Sequence, residues 1–178
     1  MSHKPTLEII PKNQLSDIDS LEIIALCSKA FEEDYTPYHA AFEGSHHILA
    51  RVKGVLVSHA LWITRWLQVG TGTLMHTAYV EGVATDERYR GEGFATAVME
   101  RLAIKIIDFD IGGLSPAETS LYARLGWEYW DGPLFHRKNG ELIRDPADEK
   151  VMILRLPKTP VLDSSLPISV EWRKGEVW

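Results

Sequence analysis

The chain has 178 residues, of which 45% are apolar and 25% charged, and a formal net charge of −6. That length points to a single domain over residues 1–178 with one core, and the acidic balance argues against nucleic acid as a partner, since that needs clustered Lys and Arg. No apolar run approaches membrane-spanning length, and Met1-Ser2-His3-Lys4-Pro5 is no apolar leader, so the expectation is a cytoplasmic protein without a membrane partner.

Thr6–Ile10 reads as a short strand closed by Pro11. The spacing predicts a helix over Asp17 to Phe31, with Leu21, Ile24, Cys27 or Ser28, and Phe31 on one face and Asp17, Asp19 or Ser20 as its cap. Glu32-Glu33-Asp34-Tyr35-Thr36-Pro37 breaks that helix, and a second short one is expected from Pro37 to Phe42. His47–Val52, Val55–Val69 and Thr73–Thr85 read as an antiparallel meander, turned at Lys53-Gly54 and Gly70-Thr71-Gly72. Cys27, the only cysteine, lacks a partner for an internal disulfide and is expected to pack in the core.

After the third strand comes Asp86-Glu87-Arg88-Tyr89-Arg90-Gly91-Glu92-Gly93-Phe94-Ala95, and a helix is expected over Gly91–Asp108, with Val98, Leu102 and Ile106 spaced by four. Glycines at a helix N-terminus let backbone approach a ligand. The free N–H groups and the helix dipole favour a phosphate there, and Arg90 adds a charged donor. Phe109–Leu114 should follow as a strand parallel to the Tyr79 strand, because a strand–helix–strand crossover is right-handed. Ser115-Pro116-Ala117-Glu118 reads as a helix start, and Gly126 as its stop. Strands are expected after Trp127, around a hairpin at Lys138-Asn139-Gly140-Glu141, over Val151–Leu156, and from Ile168.

Arg90-Gly91-Glu92-Gly93-Phe94-Ala95 lacks the Lys-Ser/Thr of a Walker loop and the third glycine of a dinucleotide fingerprint. It resembles instead the pyrophosphate loop of the GNAT superfamily of N-acetyltransferases, and Leu121-Tyr122-Ala123-Arg124-Leu125-Gly126-Trp127 resembles a second segment of that family. Tyr79-Val80-Glu81-Gly82-Val83-Ala84, Leu114-Ser115, Trp130-x-Gly132-Pro133 and Trp172-Arg173-x-Gly175-Glu176-Val177-Trp178 narrow the likeness to the aminoglycoside 2′-N-acetyltransferases. Departures fall at Phe42-Glu43-Gly44-Ser45-His46 and at Glu176.

The resemblance implies an α/β (α+β) acetyltransferase fold: a central, mostly antiparallel mixed sheet flanked by helices, with one splayed parallel pair. It implies acetyl-coenzyme A as cosubstrate, held by Val83, Ala84, Thr85, Arg88, Arg90, Gly91, Glu92, Gly93, Phe94, Ala95 and Ser115. A bulge at Gly82 would turn the Val83 N–H toward the thioester oxygen; plain ladder bonding is the alternative for that N–H. Glu81 is the candidate base, or else mainly a ligand for the substrate ammonium; a merely exposed strand carboxylate is the alternative. Tyr122 is the acid for the leaving thiolate, or else a packed helix residue. A polycationic aminosugar needs carboxylates, and Asp34, Glu81, Asp148 or Glu149, Glu176 and the Trp178 carboxylate are the candidates, with Gly82 and Ser115 beside them. Asp145, Asp148 and Glu149 read equally well as a solvated loop.

The seven histidines show no ligand spacing, so no metal is expected. The resemblance also implies a homodimer and, for the organism, antibiotic resistance. An acetyltransferase for another small amine, or a non-catalytic coenzyme A-binding module, remains an alternative.

Overall fold

The computed structural model describes residues 4–178 and divides into two compact units. The first comprises residues 4–63 and Val80–Lys105; the second comprises Thr64–Tyr79 and Ile106–Trp178. Two strands, β3 (Val55–Val69) and β4 (Met75–Thr85), run through both.

In the first unit, β1 (Thr6–Pro11) pairs antiparallel with β2 (His46–Val52), and β2 with the start of β3. The β2/β3 register slips by one residue at Ala50/Arg51, where a bulge interrupts the ladder. Helix α1 (Asp17–Phe31) has the expected bounds, but its cap is Ser16. The Ser16 hydroxyl accepts from the Asp19 N–H, and the Asp19 carboxylate accepts from the Ser16 N–H, which satisfies two helix-end donors at once. The face it buries also differs from the expected one. Ile23, Leu26 and Cys27 are buried, whereas Leu21 and Phe31 are 67% and 40% exposed. Apolar residues occupy so much of this helix that two faces satisfy the 3.6-residue period, and spacing alone does not choose between them. The buried face packs with Tyr35, Phe42, Leu49, Leu56, Leu61 and Ala84. Helix α2 (Thr36–Ala41) follows α1, and α3 (Phe94–Lys105) buries Phe94, Val98, Met99 and Leu102. The α3 start falls three residues later than expected because Gly91 and Gly93 take positive φ and stay outside the helix.

In the second unit the remaining strands are β5 (Ile111–Leu114), β6 (Glu128–Tyr129), β7 (Leu134–Lys138), β8 (Glu141–Arg144), β9 (Met152–Arg155) and β10 (Ile168–Glu171). Their order is β6-β9-β5-β4-β3-β10-β7-β8, a mixed sheet in which β4/β5 and β10/β7 are parallel and the other registered pairs are antiparallel. The parallel β4/β5 pair is the one the right-handed crossover requires. Its Gly112 and Gly113 let Trp127 and Tyr79 press onto β5, since a Cβ at either glycine would meet those rings at 3.1 and 3.0 Å.

The helix expected at Ser115 begins later: α4 spans only Ser120–Arg124. The Ser115 hydroxyl donates to Glu149 Oε1 at 2.5 Å instead of capping a helix, and Glu118 Oε1 accepts from the Ser120 N–H at 3.0 Å. The bond to Glu149 is charge-assisted and fixes the Ser115 side chain.

Candidate active site

In the first unit the distal half of β4 is built around a kink. The parallel register with β5 ends at Tyr79–Gly113, while β4 continues to Thr85. Gly82 sits at φ +58, a conformation that side-chain-bearing residues rarely adopt. A Cβ there would collide with the Tyr35 hydroxyl and approach His59 Cε1 at 3.3 Å. Glu81 and Val83, on either side, are half-buried. Beyond them Ser58 tethers the strand end: its hydroxyl donates to the Ala84 carbonyl at 3.1 Å and lies 2.8 Å from the Thr85 hydroxyl.

The loop then turns on Asp86, which accepts from the Arg88 N–H at 2.9 Å and from the Arg88 guanidinium at 3.1 and 2.7 Å. The Arg88 hydrogen bond, ahead of the other contributions, pulls the Asp86 carboxyl down to about 2. Arg88 is thereby committed largely to shaping the loop. Arg90 remains exposed, and Lys29 lies beside it in a recess of about 20 Å³ lined also by Leu26, Thr85 and Glu87. Gly91 and Gly93 stand at φ +81 and +85, and a Cβ built on either meets no neighbour within 4 Å. These glycines therefore serve conformation, and the backbone they leave bare is open to a ligand at the head of a twelve-residue helix. Phe94 anchors that helix in the core; Ala95 is half-buried and Glu92 exposed. Exposed amides, a helix N-terminus and Arg90 fit the pyrophosphate of coenzyme A.

In the second unit a cavity of about 600 Å³ is lined by Ser115–Ala117, Asp145–Pro146, Asp148–Lys150 and Glu176–Trp178. The lining carries four side-chain carboxylates, those of Asp145, Asp148, Glu149 and Glu176, and one ammonium-bearing side chain, Lys150. Asp145 is a wall fixture: Oδ1 lies 2.7 Å from His136 Nδ1, and Oδ2 accepts from the Trp178 indole N–H at 2.7 Å. Trp178 is 5% exposed and so anchors the tail, although Lys174, Gly175 and Glu176 before it are exposed. Arg65, itself 1% exposed, holds the same segment by donating to the carbonyls of Glu171 and Val177. Tyr122, on α4, is half-buried and meets the Trp127 ring edge-on, with centroids 6.3 Å apart. Burial pushes its phenol up to about 12, so it stays protonated at neutral pH.

Ser115, Asp148, Glu149, Glu176 and Trp178 thus meet in one cavity. Asp34 and Glu81 are not in its lining. Asp34 belongs to the first unit, where its carboxylate accepts from the Thr36 N–H at 2.9 Å and helps start α2. Three participants escaped the sequence: Asp145 as a fixed wall, Lys150 as a countercharge, and Tyr35 above Gly82. Asp145 and Tyr35 gave weak signals because each acquires its role through a distant neighbour, Trp178 and Gly82 respectively. Among the described residues no group of three or more His, Cys, Asp or Glu side chains is arranged to hold a metal ion.

A bare glycine loop at a helix head, following a kinked strand in a mixed sheet, defines the class. Residues 13–130 match the acetyltransferase (GNAT) domain family, and the chain belongs to that family, whose members use acetyl-coenzyme A. An aminoglycoside 2′-N-acetyltransferase from Mycolicibacterium fortuitum is 33% identical over 158 residues, which cover 84% of this chain and 80% of that protein. The fold is shared with the GNAT family N-acetyltransferase YhbS of Escherichia coli, solved in complex with CoA (TM-score 0.67, 19% identity, 98% of this chain and 92% of that one). It is shared too with a GCN5-related N-acetyltransferase from Kribbella flavida (TM-score 0.59, 20% identity), where 73% of this chain spans only 34% of that protein.

Proposed function

We propose that this chain acetylates an amino group of an aminoglycoside antibiotic, at the 2′ position, and so protects its host from the drug. The observation that carries this reading is the cavity of about 600 Å³ with four carboxylates against one lysine. A neutral substrate gains little from such a lining, and a phosphorylated one is repelled. A polyamine sugar is attracted both at long range, by the net charge of −6, and at short range, by charge-assisted hydrogen bonds. The 33% identical M. fortuitum enzyme supports the aminoglycoside assignment.

Acetyl-coenzyme A supplies the acyl group as a thioester. Arg90 and the Gly91–Ala95 backbone hold its pyrophosphate. The Val83 N–H donates to the oxygen on which charge develops. Glu81 removes a proton from the amine, directly or through a water. Tyr122, kept neutral by burial, gives a proton to the departing sulfur. Asp148, Glu149 and Glu176 bind ammonium groups that do not react.

The test is thiol release from acetyl-coenzyme A with a panel of aminoglycosides. Gentamicin and tobramycin, which carry a 2′-amine, should be turned over, and kanamycin A, with a 2′-hydroxyl, refused. Equal turnover of kanamycin A would overturn the position assigned; silence across the panel would overturn the substrate class.

A further inference from the structure

The first unit buries a file of polar side chains that the chemistry above does not employ. Ser45, His47 and His59 are each no more than 1% exposed. Ser45 Oγ lies 2.9 Å from His47 Nε2, His47 Nδ1 lies 2.9 Å from His59 Nε2, and His59 Nδ1 lies 2.7 Å from the Gly82 carbonyl oxygen. A carbonyl only accepts, so the end of the file sets the direction of every bond in it. His59 carries its proton on Nδ1 and donates to Gly82. Its Nε2 accepts from His47 Nδ1–H, and His47 Nε2 accepts from the Ser45 hydroxyl. Burial holds both rings neutral, pushing His59 down to about 4 and His47 to about 2. The file is no proton relay, because it terminates on an oxygen that has no proton to pass on.

Its target is informative. The Gly82 carbonyl and the Val83 N–H belong to one planar trans peptide and point in opposite directions. Drawing the oxygen inward to His59 therefore turns the N–H outward. At a residue with φ +58 the regular ladder does not set that plane, and something else must. The Cys27 thiol adds a weak second contact to the same oxygen at 3.8 Å. A donor on the carbonyl also polarises the amide and strengthens its N–H.

We propose that His59, oriented by His47 and Ser45, is a positioning residue that clamps the Gly82–Val83 peptide so that the Val83 N–H is presented to the thioester oxygen. This rests on the role given to Val83 above.

Nitrogen-15 NMR of the imidazoles tests it without any amine. At pH 7, His59 and His47 should both be neutral with the proton on Nδ1; an Nε2–H tautomer at His59 overturns the clamp. Acetyl-coenzyme A should then shift the Val83 amide resonance in the wild type; a Val83 amide that ignores it while Gly91 and Gly93 respond also overturns the proposal. His59→Leu should abolish the Val83 shift while keeping those of the glycine loop, and lower kcat about 10–100-fold with the amine KM within about twofold. His59→Asn replaces the Nδ1 donor but not the link to His47, and should return kcat to within about fivefold of wild type. Equal impairment of the two variants, or none in His59→Leu, overturns the clamp. Should His59→Leu fail to fold, Ser45→Ala removes only the outer donor; His59 and His47 should both keep the proton on Nδ1, because the Gly82 carbonyl fixes both, and a His47 that shifts to the Nε2–H tautomer would contradict the directed file. A wild type that turns over no aminoglycoside yet gives the expected tautomers and Val83 shift rejects the substrate reading alone.

Discussion

The glycine loop of the first unit and the carboxylate cavity of the second present opposite charges by opposite means. In the loop the positive potential comes largely from backbone: the head of α3, left bare by Gly91 and Gly93 at φ +81 and +85, with Arg90 as the one prominent side chain. In the cavity the negative potential comes from side chains on two separate segments, Asp145–Lys150 and Glu176–Trp178. A site made of backbone must be contiguous, and it fails when its conformation fails. A site made of side chains is assembled by the fold, and it weakens one group at a time.

Removing the proposed proton donor separates chemistry from both kinds of recognition and should have the largest effect. Tyr122→Phe is expected to lower kcat about 100-fold or more while acetyl-coenzyme A still binds, as isothermal titration would report; unchanged turnover removes Tyr122 from the mechanism. Next comes the loop. Gly93→Val puts a β-branched residue at φ +85 and should raise the KM for acetyl-coenzyme A about 30-fold, from strain of roughly 2 kcal/mol, with the amine KM nearly constant. A Gly93→Val variant of normal affinity would mean that the backbone conformation is not what binds.

The third prediction concerns acid. His59 and His47 are held down to about 4 and about 2, whereas an unfolded chain protonates its histidines near 6.5. The unfolded state therefore binds more protons between those values. Stability is complete above about pH 6.5 and falls as pH drops toward 4, by up to about 1.4 kcal/mol per pH unit for each ring. His39, also lowered by burial, faces His47 at 5.7 Å and adds in the same sense; Lys12 is the nearby cation. Urea melts at pH 7 and pH 5 should show the loss, and His59→Asn should lessen it; a pH-independent midpoint contradicts the burial of neutral rings. The smallest effect belongs to the cavity. Asp148→Asn and Glu149→Gln should each raise the aminoglycoside KM about fivefold, the ~1 kcal/mol of a partly exposed ion pair, and leave the acetyl-coenzyme A KM alone. A 100-fold effect from either would make the cavity as brittle as the loop.

The same contrast explains what was legible in the chain. The strand, glycine loop and helix from Tyr79 to Lys105 are local, so their residues announce them. The α1 bounds were equally local, but its buried face was chosen by Phe42, Leu49 and Leu61, which no spacing within the helix reveals. The α4 start falls five residues after Ser115, whose hydroxyl donates to Glu149, 34 positions away. The cavity carboxylates Asp148, Glu149 and Glu176 were suggested by family likeness, while Asp145 gave no sign that it would bond Trp178. The histidine file was hidden by a single residue. In an unbroken hairpin from Val52↔Val55, His47 and His59 would fall on opposite faces of the sheet; the bulge at Ala50/Arg51 moves His47 opposite Leu61, and so onto the His59 face.

The most direct test of the account is the position of the acetyl group on tobramycin after reaction with acetyl-coenzyme A, read by two-dimensional NMR of the product. One N-acetyl group is expected, on the 2′-amine. Acetylation at another amine, or no acetylated tobramycin at all, would contradict it.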